Sequence, residues 1–294
     1  MRLFDLRILL IDGDPDSLEV LSSFLESEGA EVASALAAAD GLRLAKQVTP
    51  DVVISELELP DLAGNLLLLA LRALPGCAEL PAVALTAHTG LAARAQALAA
   101  GFHKYLVKPV LLEDVVTALA SLGRGNPPLD THAGTSSHAF LRQALLAHDY
   151  RALLAALNGS TDHRYSSIFR FDAERLSSVW TYDREVPDRD AFPLEVALAD
   201  SYCVYVYESV APLVIEDSLV DSRVLRHRRR HEIRAFCGVP LFSGDGALYG
   251  ALCHFDHEPR HVTEPVMDLL ATVAHMFRRE VATKEGESGS ALGG

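Results

Sequence analysis

The chain has 294 residues, of which 49% are hydrophobic and 22% are charged, and its formal net charge is −14 at pH 7. This length accommodates two domains of ordinary size, and the composition is that of a chain that buries hydrophobic cores. The acidic balance argues against non-specific binding to nucleic acid or to an anionic membrane, because both require a basic surface.

The sequence carries no signal for membrane insertion or for a disulfide framework. No apolar run approaches the ~20 residues that span a bilayer, and the first residues lack the cleavage site of a signal peptide. The four cysteines are too few and too scattered for a disulfide scaffold: Cys77, Cys203, Cys237 and Cys253. We therefore expect a cytoplasmic protein that contacts neither membrane nor nucleic acid.

Residues 1–123 alternate short apolar runs with segments of helix length. The apolar runs predict buried strands at 7–12, 31–36, 51–55, 81–86 and 104–108. The segments between and after them predict helices at 15–28, 38–48, 65–74, 89–100 and 111–122. Five strand–helix units predict an α/β domain with a doubly wound, five-stranded parallel sheet that has helices on both faces.

Four polar residues stand at the ends of four of these strands. They are Asp12, Glu56, Thr86 and Lys108. In a doubly wound parallel sheet the ligand site lies at the carboxyl ends of the strands. The sequence therefore predicts that these four side chains converge on one functional site.

A second domain is predicted after a linker at 124–138, which is rich in glycine, proline, serine and threonine. A helical pattern at 139–157 opens this domain, and a helix at about 264–280 closes it before a disordered tail at 281–294. Strands are predicted between the two helices, at 165–172, 177–183, 212–217, 236–243 and 247–256. This order predicts an α+β domain over 139–280 with a central antiparallel sheet.

Residues 1–123 resemble a response-regulator receiver domain, the phosphoacceptor module of bacterial two-component signalling. The resemblance rests on "LLIDGDPD", "ELELPDLAG", "LTA" and "KYLVKP", which occur in the order of the family. It implies that Glu56 holds the phosphoacceptor position and that Thr86 is the hydroxyl beside the phosphate. It also implies that Lys108 neutralises charge and that Tyr105 is the aromatic residue whose rotamer reports the switch.

Two departures from the family make this domain a degenerate, pseudo-receiver-like one. The family has an acidic pair after the first strand, whereas here Gly13 follows Asp12, and the acceptor is a glutamate in place of an aspartate. Mg²⁺ requires near-ideal octahedral oxygen geometry, so Asp12 is a weak magnesium candidate, with Asp14 or Glu58 as substitute ligands. A carboxylate displaced by about 1 Å attacks a phosphoryl donor roughly 10²-fold more slowly.

Three interpretations of Glu56 follow. In the first, the site is a relic in which Glu56 pairs with Lys108. In the second, Glu56 reaches both Lys108 and Thr86 and imitates the phosphorylated state permanently. In the third, Glu56 is still phosphorylated. The first two predict a receiver domain that does not switch by phosphate.

Residues 139–280 resemble a GAF domain, a module that senses small molecules and dimerises. The resemblance rests on "SYCVYVYESVAPLVIEDSLVDSRV", "FCGVPLFSGDGALYGALCHFD" and "VMDLLATVAHMF". It implies a ligand cavity against the sheet, but it does not name the ligand. Candidates for the lining are Trp180, Tyr182, Tyr202, Cys203, Cys237, Cys253 and Phe255. Ordinary core packing is the competing interpretation of this set.

Two further clusters are ambiguous. Cys203, Cys237 and Cys253 have no zinc-site spacing, and a shared redox or metal site competes with simple burial. The basic segment 223–234, "RVLRHRRRHEIR", could bind an anion or an acidic partner, or could be a solvated face. His254, His257 and His261 are predicted to be surface histidines.

The two resemblances together predict a non-enzymatic signalling regulator. It would act by contact with a histidine kinase or another regulator, and would form a homodimer through the GAF helices. No cofactor is assigned. The alternatives are a phosphorylatable response regulator with GAF output, and a thiol-dependent GAF enzyme of the methionine sulfoxide reductase type.

Overall fold

The computed structural model describes residues 3–122, 135–172, 174–187 and 195–288, which divide into two compact units. Most of the predicted linker, residues 124–134, and the end of the predicted tail, residues 289–294, lie outside the described residues.

The first unit contains a parallel sheet. Its strands are β1 (Arg7–Ile11), β2 (Glu31–Ala35), β3 (Val52–Ser55), β4 (Ala82–Thr86) and β5 (Lys104–Val107). All neighbouring strands run parallel, in the order β2-β1-β3-β4-β5. Residues of β1, β3 and β4 are buried at every or nearly every position, as expected for strands that are covered on both faces.

Five helices alternate with these strands. They are α1 (Pro15–Ser27), α2 (Ala38–Gln47), α3 (Gly64–Arg72), α4 (Leu91–Ala100) and α5 (Leu112–Ser121). The start of α1 follows from its sequence, because Asp14 accepts a hydrogen bond from the Asp16 amide and Pro15 occupies the first helical turn. The five predicted strands and five predicted helices are confirmed, with ends that differ by at most two residues.

The core of this unit forms on the side of the sheet that α1 and α5 cover. Ile8 and Leu10 of β1 point to this side and pack with Leu25 of α1 and Leu119 of α5. Leu9 and Ile11 alternate with them and are also buried, on the side of α2. This alternation fixes the register of the strands and so the position of the residues that follow them.

The second unit contains an antiparallel sheet. Its strands are β6 (Tyr165–Asp172), β7 (Arg175–Asp183), β8 (Glu195–Ala197), β9 (Leu213–Ile215), β10 (Ala235–Phe242) and β11 (Leu248–Asp256). The strand order is β8-β7-β6-β11-β10-β9. The helices are α6 (Thr135–Leu146), α7 (Tyr150–Asn158), α8 (Cys203–Ser209) and α9 (Glu264–Ser288). The predicted α+β class with a central antiparallel sheet is confirmed.

Several predicted bounds in this unit are wrong. The segment 139–157 is two helices, because Asp149 caps α7 and His148 before it has a φ of 55°. The linker ends earlier than 138, since α6 begins at Thr135, and the tail does not begin at 281, since α9 continues to Ser288. Neither β8 nor α8 was predicted, because both are too short for a periodic pattern.

The antiparallel sheet has two differently covered faces. On the face we call the helix face, residues of α6, α7 and α9 pack with Ile168 of β6 and Leu252 of β11. On the other, which we call the cavity face, α8 packs with Phe169 of β6 and Phe236 of β10. Neighbouring residues such as Ile168 and Phe169 therefore belong to different cores, as the pleat of a strand requires.

A β-bulge interrupts β7 at Val179. Trp180 pairs with Ile168 and Ser178 pairs with Phe169, so Val179 has no partner across the strand pair. An unpaired residue inverts the alternation of faces beyond it. As a result Leu176 and Thr181 both point to the cavity face, although their numbers differ by an odd amount. No helix in the described part of the chain combines the length and apolar composition that crossing a bilayer requires.

Candidate functional site

The parallel sheet brings the four predicted polar residues to one edge. Asp12 follows β1, Glu56 follows β3 and Lys108 follows β5, while Thr86 is the last residue of β4. Backbone hydrogen bonds fix two of them there, because the Glu56 amide donates to the Ile11 carbonyl oxygen and the Lys108 amide donates to the Thr86 carbonyl oxygen. The predicted convergence at the carboxyl ends of the strands is therefore what the structure shows.

The centre of this site is Lys108 between two carboxylates. Its Nζ atom is 2.6 Å from Asp12 Oδ2 and 3.0 Å from Glu56 Oε2. Both carboxylates are nearly inaccessible, with 2% of Asp12 and 9% of Glu56 exposed. Charge-assisted hydrogen bonds of this length are strong ones, and the low dielectric of the site strengthens them further.

The environment raises the pKa of Lys108 above its ordinary value. Burial acts in the opposite direction and is the largest single influence. It is outweighed by the hydrogen bonds and charge attraction of Asp12 and Glu56 together. Lys108 is therefore a firmly protonated ammonium that acts as the internal cation of the site.

The remaining carboxylate oxygens are occupied by backbone amides. Asp14 N donates to Asp12 Oδ1 at 3.0 Å, and Leu57 N donates to Glu56 Oε1 at 2.8 Å. All four oxygens thus already accept hydrogen bonds, and Gly13 supplies no side chain. Mg²⁺ demands near-octahedral oxygen ligands, and two carboxylates that share one ammonium group, with no acidic side chain at position 13, are a poor fit for it. Among the described residues no group of three or more His, Cys, Asp or Glu side chains is placed to hold a metal.

Thr86 and Tyr105 lie beside this centre without joining it. Thr86 is fully buried, and its Oγ1 accepts a hydrogen bond from the His88 amide at 3.2 Å. Within the described residues no hydrogen bond links Thr86 to Glu56. The Tyr105 hydroxyl donates to the His88 carbonyl oxygen at 3.0 Å. His88 is a residue that the sequence reasoning missed. Its Nε2 is 2.7 Å from Glu58 Oε1, so the pair joins the loops that follow β3 and β4.

Gly64 allows the loop after Glu56 to fold back tightly. A Cβ atom on this residue would lie 2.9 Å from Leu57 Cα and closer still to the Glu56 carbonyl oxygen. The Gly64 amide donates to the Leu57 carbonyl oxygen at 2.8 Å, and Glu58 and Ala63 form an isolated antiparallel bridge. This loop therefore holds the Glu56 carboxylate at Lys108 through a close backbone approach that glycine permits.

The second unit contains a cavity of about 190 Å³ on the cavity face of its sheet. Its apolar lining is largely aromatic: Phe169, Leu176, Tyr202 and Phe236 are buried, and Ile233 and Phe255 are half-buried. Its polar side chains include Asp200, Ser201, Arg229 and His257, which are partly or fully exposed, and Thr181 and His227, which are buried. Tyr202 is held by a hydrogen bond from its hydroxyl to the Ile233 carbonyl oxygen at 3.1 Å. An apolar cavity with a few polar groups at its mouth is the usual form of a small-molecule site.

Of the seven predicted lining residues, two line this cavity and five do not. Tyr202 and Phe255 line it. Trp180 and Tyr182 share a face, as the alternation predicted, but it is the helix face, where both pack against the core of α6, α7 and α9. Thr181, which lies between Trp180 and Tyr182 and points to the opposite face, lines the cavity.

The cysteines do not form a common site. Cys237 lies in the core of the helix face, whereas Cys203 and Cys253 lie in that of the cavity face, and all three are fully buried. Burial raises the pKa of Cys237 to about 12 and, together with the Cys203 thiol, raises that of Cys253. None of the three lines the cavity. Thiols held protonated in this way are poor nucleophiles.

Three residues of the basic segment 223–234 line the cavity: His227, Arg229 and Ile233. The sequence singled out this segment but did not connect it to the cavity. The His227 ring contacts that of Tyr202 at an angle of 43°, with ring centroids 4.5 Å apart, and burial lowers the pKa of His227. The cluster of arginines in an otherwise acidic chain was the sequence signal for a binding segment. The sequence does not indicate, however, which loop borders a cavity.

One predicted surface histidine is buried. His254 has no exposed area and stacks against the equally buried His163, with ring centroids 5.9 Å apart. Their Nδ1 atoms contact the hydroxyls of Ser166 and Thr161 at 2.7 and 2.6 Å. The prediction failed because His254 falls on the helix face of β11, and sequence alone did not settle which face was covered. His257, by contrast, is exposed.

Comparison with known protein families identifies both units. A family model for the response regulator receiver domain matches residues 8–120, and a model for the GAF domain matches residues 146–281. The first range falls within the predicted domain 1–123, and the second ends one residue beyond the predicted domain 139–280.

Two bacterial proteins are similar to part of the chain. "Transcriptional regulatory protein PrrA" of Mycobacterium bovis is 30% identical over 192 residues, which cover 60% of this chain and 79% of PrrA. "Uncharacterized 14.6 kDa protein in sodA1 3'region" of Leptolyngbya boryana is 40% identical over 108 residues, covering 37% of this chain and 82% of that protein. The chain therefore belongs to the response regulator receiver family and carries a GAF domain after its receiver domain. It is a two-component signal-transduction regulator.

Solved structures of receiver domains are also similar to the first unit. A response regulator receiver domain protein from Clostridium thermocellum is 30% identical, with a TM-score of 0.37 over 40% of this chain and 93% of that one. A two-component response regulator from Clostridium difficile is 27% identical, with a TM-score of 0.37 over 40% of this chain and 95% of that one.

Proposed function

We propose that the receiver domain of this regulator works without phosphorylation, with Glu56 held permanently against Lys108. The observation that carries the proposal is the position of Lys108 Nζ, 2.6 Å from Asp12 and 3.0 Å from Glu56. A phosphoacceptor needs a free carboxylate oxygen, a divalent cation and room for the phosphoryl group. Here the carboxylate oxygens are engaged, and the cation of the site is an ammonium group.

Of the three interpretations of Glu56, the ion pair is the one that this geometry favours. The permanent imitation of a phosphorylated state would need Glu56 to reach the Thr86 hydroxyl, and Thr86 Oγ1 instead accepts from the His88 amide. Chemical phosphorylation would need Glu56 to leave Lys108, and its extra methylene misplaces the carboxylate by about 1 Å, which costs roughly 10²-fold in rate.

The decisive experiment is incubation of the full chain with acetyl phosphate and Mg²⁺, followed by intact mass spectrometry. The wild-type protein should gain no phosphoryl mass. The double variant Gly13→Asp, Glu56→Asp should gain one, since it restores the acidic pair and the acceptor length. Residue 13 can carry a side chain, because a Cβ there would meet Pro60 Cδ at an ordinary 3.4 Å.

The matched control for this experiment is Glu58→Asp, which shortens a neighbouring glutamate that pairs with His88 and not with Lys108. It should gain no mass. A phosphoryl group found on Glu56 of the wild-type chain would overturn the proposal. A double variant that stays unmodified would show that something other than these two departures blocks the chemistry, and would overturn it as well.

The GAF domain supplies the input in this proposal. Its cavity of about 190 Å³ supports binding of a small molecule, and the chain would report the bound state by contact with a histidine kinase or another regulator. A homodimer through the GAF helices is part of the same proposal. Sedimentation equilibrium of the full chain, and of a variant that lacks residues 281–294, measures the oligomeric state. A full chain that stays monomeric at high protein concentration would refute the homodimer.

The thiol-enzyme alternative gains no support from the geometry. Cys203, Cys237 and Cys253 are buried, are divided between the two faces of the sheet and do not line the cavity. The raised pKa of Cys237 and Cys253 opposes nucleophilic chemistry. Iodoacetamide at pH 8 should leave all three unmodified in the native protein. Rapid alkylation of any of them would revive the enzymatic alternative.

A further inference from the structure

The cavity of the GAF domain combines an aromatic interior with a basic mouth, and the two features together restrict what it can bind. Phe169 and Phe236 are 3% exposed and Tyr202 is 2% exposed, so solvent hardly reaches these three aromatic walls. Aromatic walls favour a planar ring, because offset and edge-to-face contacts add to the area that is buried. A flexible polar ligand would leave its hydrogen-bonding groups unpaired against these walls.

The size of the cavity limits the ligand to about one ring and a small substituent. An engineered apolar cavity of about 150 Å³ accepts a benzene molecule. The cavity here is about 190 Å³, which leaves room for one further group of a few atoms. Drug-sized ligands occupy roughly 300–1,000 Å³, so a tetrapyrrole is too large.

The charges at the mouth favour an anionic group. Four arginines, at positions 226, 228, 229 and 230, lie close together in the chain. Two of them are paired with carboxylates: Arg228 with Asp200, which also lines the cavity, and Arg229 with Glu232. The excess of two positive charges stands out in a chain whose formal net charge is −14. Arg229 itself lines the cavity, and its guanidinium is 2.7 Å from Glu232 Oε2.

The Arg229–Glu232 contact is exposed enough to be exchanged for a ligand. The side chains are 38% and 59% exposed, and surface ion pairs of this kind contribute little to stability. Arginine binds carboxylates through two parallel hydrogen bonds, which an incoming carboxylate in the cavity can accept in place of Glu232.

We propose that this cavity binds a small aromatic carboxylate, with its ring among Phe169, Phe236 and Phe255 and its carboxylate at Arg229. The proposal rests on the ligand-sensing role given to the GAF domain above and names the ligand class of that role. Binding would replace the Arg229–Glu232 ion pair and so change the surface of the segment 223–234, which is the part of the GAF domain that a partner protein could read.

The test uses benzoate and benzamide as probes, because they have the same shape and differ in charge. Their dissociation constants are measured on the full chain by saturation-transfer NMR at constant ionic strength. Benzoate should bind roughly tenfold more tightly than benzamide, the ratio expected from a charge-assisted pair at a partly exposed site. Arg229→Gln should remove this preference.

Two further variants separate the cavity from the general charge of the segment. Arg226→Gln removes the same charge from an exposed residue that does not line the cavity, and it should retain most of the preference. Val196→Trp fills the cavity from β8 and should abolish binding of both probes. Should the filled variant fail to fold, Arg229→Gln still decides the proposal, because its side chain is at the surface.

The outcomes distinguish this proposal from the sensing role on which it rests. Equal affinity for the two probes, abolished by Val196→Trp, would overturn the carboxylate assignment and keep the cavity as a ligand site. Absence of binding by either probe would overturn the assignment to aromatic carboxylates. Sensing itself fails if no small molecule raises the melting temperature of the wild type in a way that Val196→Trp removes.

Discussion

Acid should destabilise the GAF domain through two buried histidines, His163 and His254. Their rings stack with centroids 5.9 Å apart and neither has exposed area. Burial is the largest influence on both and lowers the pKa of His163 from 6.5 to about 4 and that of His254 to about 3. In the unfolded chain both return to the ordinary value near 6.5.

The sign of the effect follows from which state binds protons. Between about pH 6.5 and 4 the unfolded chain takes up two protons that the folded domain excludes, so stability falls as the pH falls. The nearby charges oppose one another: Asp256 and Asp162 raise the pKa of His163, while Arg260 and Arg184 lower it. Arg184 also lowers that of His254. From pH 7 to pH 5 each histidine contributes roughly 2 kcal/mol and the pair roughly 4 kcal/mol.

Urea unfolding followed by Trp180 fluorescence measures this loss directly. Trp180 is the single tryptophan of the chain and packs on the helix face, so its emission reports this domain. His254→Asn keeps a polar atom near the Ser166 hydroxyl but removes the titrating ring. It lowers stability at pH 7 by opening a cavity, and it should reduce the loss between pH 7 and pH 5 by roughly half.

His231→Asn is the matched control, because His231 is exposed. It should leave the pH dependence of the wild type unchanged. A loss of less than about 1 kcal/mol between pH 7 and pH 5 in the wild type would refute the reasoning. The reasoning would also be refuted if the free energy of unfolding of His254→Asn depended on pH as strongly as that of the wild type.

Three further substitutions test the packing described above, each by urea unfolding of the full chain. Lys108→Met should destabilise the receiver domain by roughly 3–5 kcal/mol, because Asp12 and Glu56 would stay buried without their cation. Gly64→Ala should destabilise it by roughly 1–3 kcal/mol, because the new Cβ would lie 2.9 Å from Leu57 Cα in a tightly packed loop. Val210→Gly should stabilise the GAF domain by about 1 kcal/mol, because Val210 has a φ of 50°, which a β-branched residue adopts only under strain.

Each of these three has an outcome that contradicts it. A neutral Lys108→Met would mean that the two carboxylates find other partners or become protonated at little cost. An unchanged Gly64→Ala would mean that the loop after β3 relaxes freely. A destabilised Val210→Gly would mean that the side chain of Val210 contributes more than its strain costs.

The receiver domain was predictable from its sequence because its signals are local and mutually consistent. Four of the five strands end at or directly before a polar residue, and the order of the strands places Asp12, Glu56 and Lys108 at one edge. What the sequence could not give is the hydrogen bonding of Glu56. Whether it reaches Lys108, Thr86 or both depends on side-chain geometry, which a pattern does not contain.

The cavity of the GAF domain was predictable in kind but not in its lining. Alternation along β7 correctly placed Trp180 and Tyr182 on one face, yet the bulge at Val179 decided which face that is relative to Leu176. A bulge has no strong sequence signal when no glycine marks it. Arg229 and His227 were missed as lining residues because they reach the cavity from the loop before β10, whereas the walls that they meet come from β6 and β7, far away in the sequence.

The unpaired residue in β7 has a consequence for how relatives of this chain can change in length. Ser178 pairs with Phe169 on the cavity face and Trp180 pairs with Ile168 on the helix face, so Val179 stands between two residues that already lie on opposite faces. A single-codon deletion of Val179 would straighten β7 and leave Leu176 and Thr181 in the cavity. The same deletion in β6, which pairs with β11 without an unpaired residue, would instead turn one part of that strand over and exchange its side chains between the two cores.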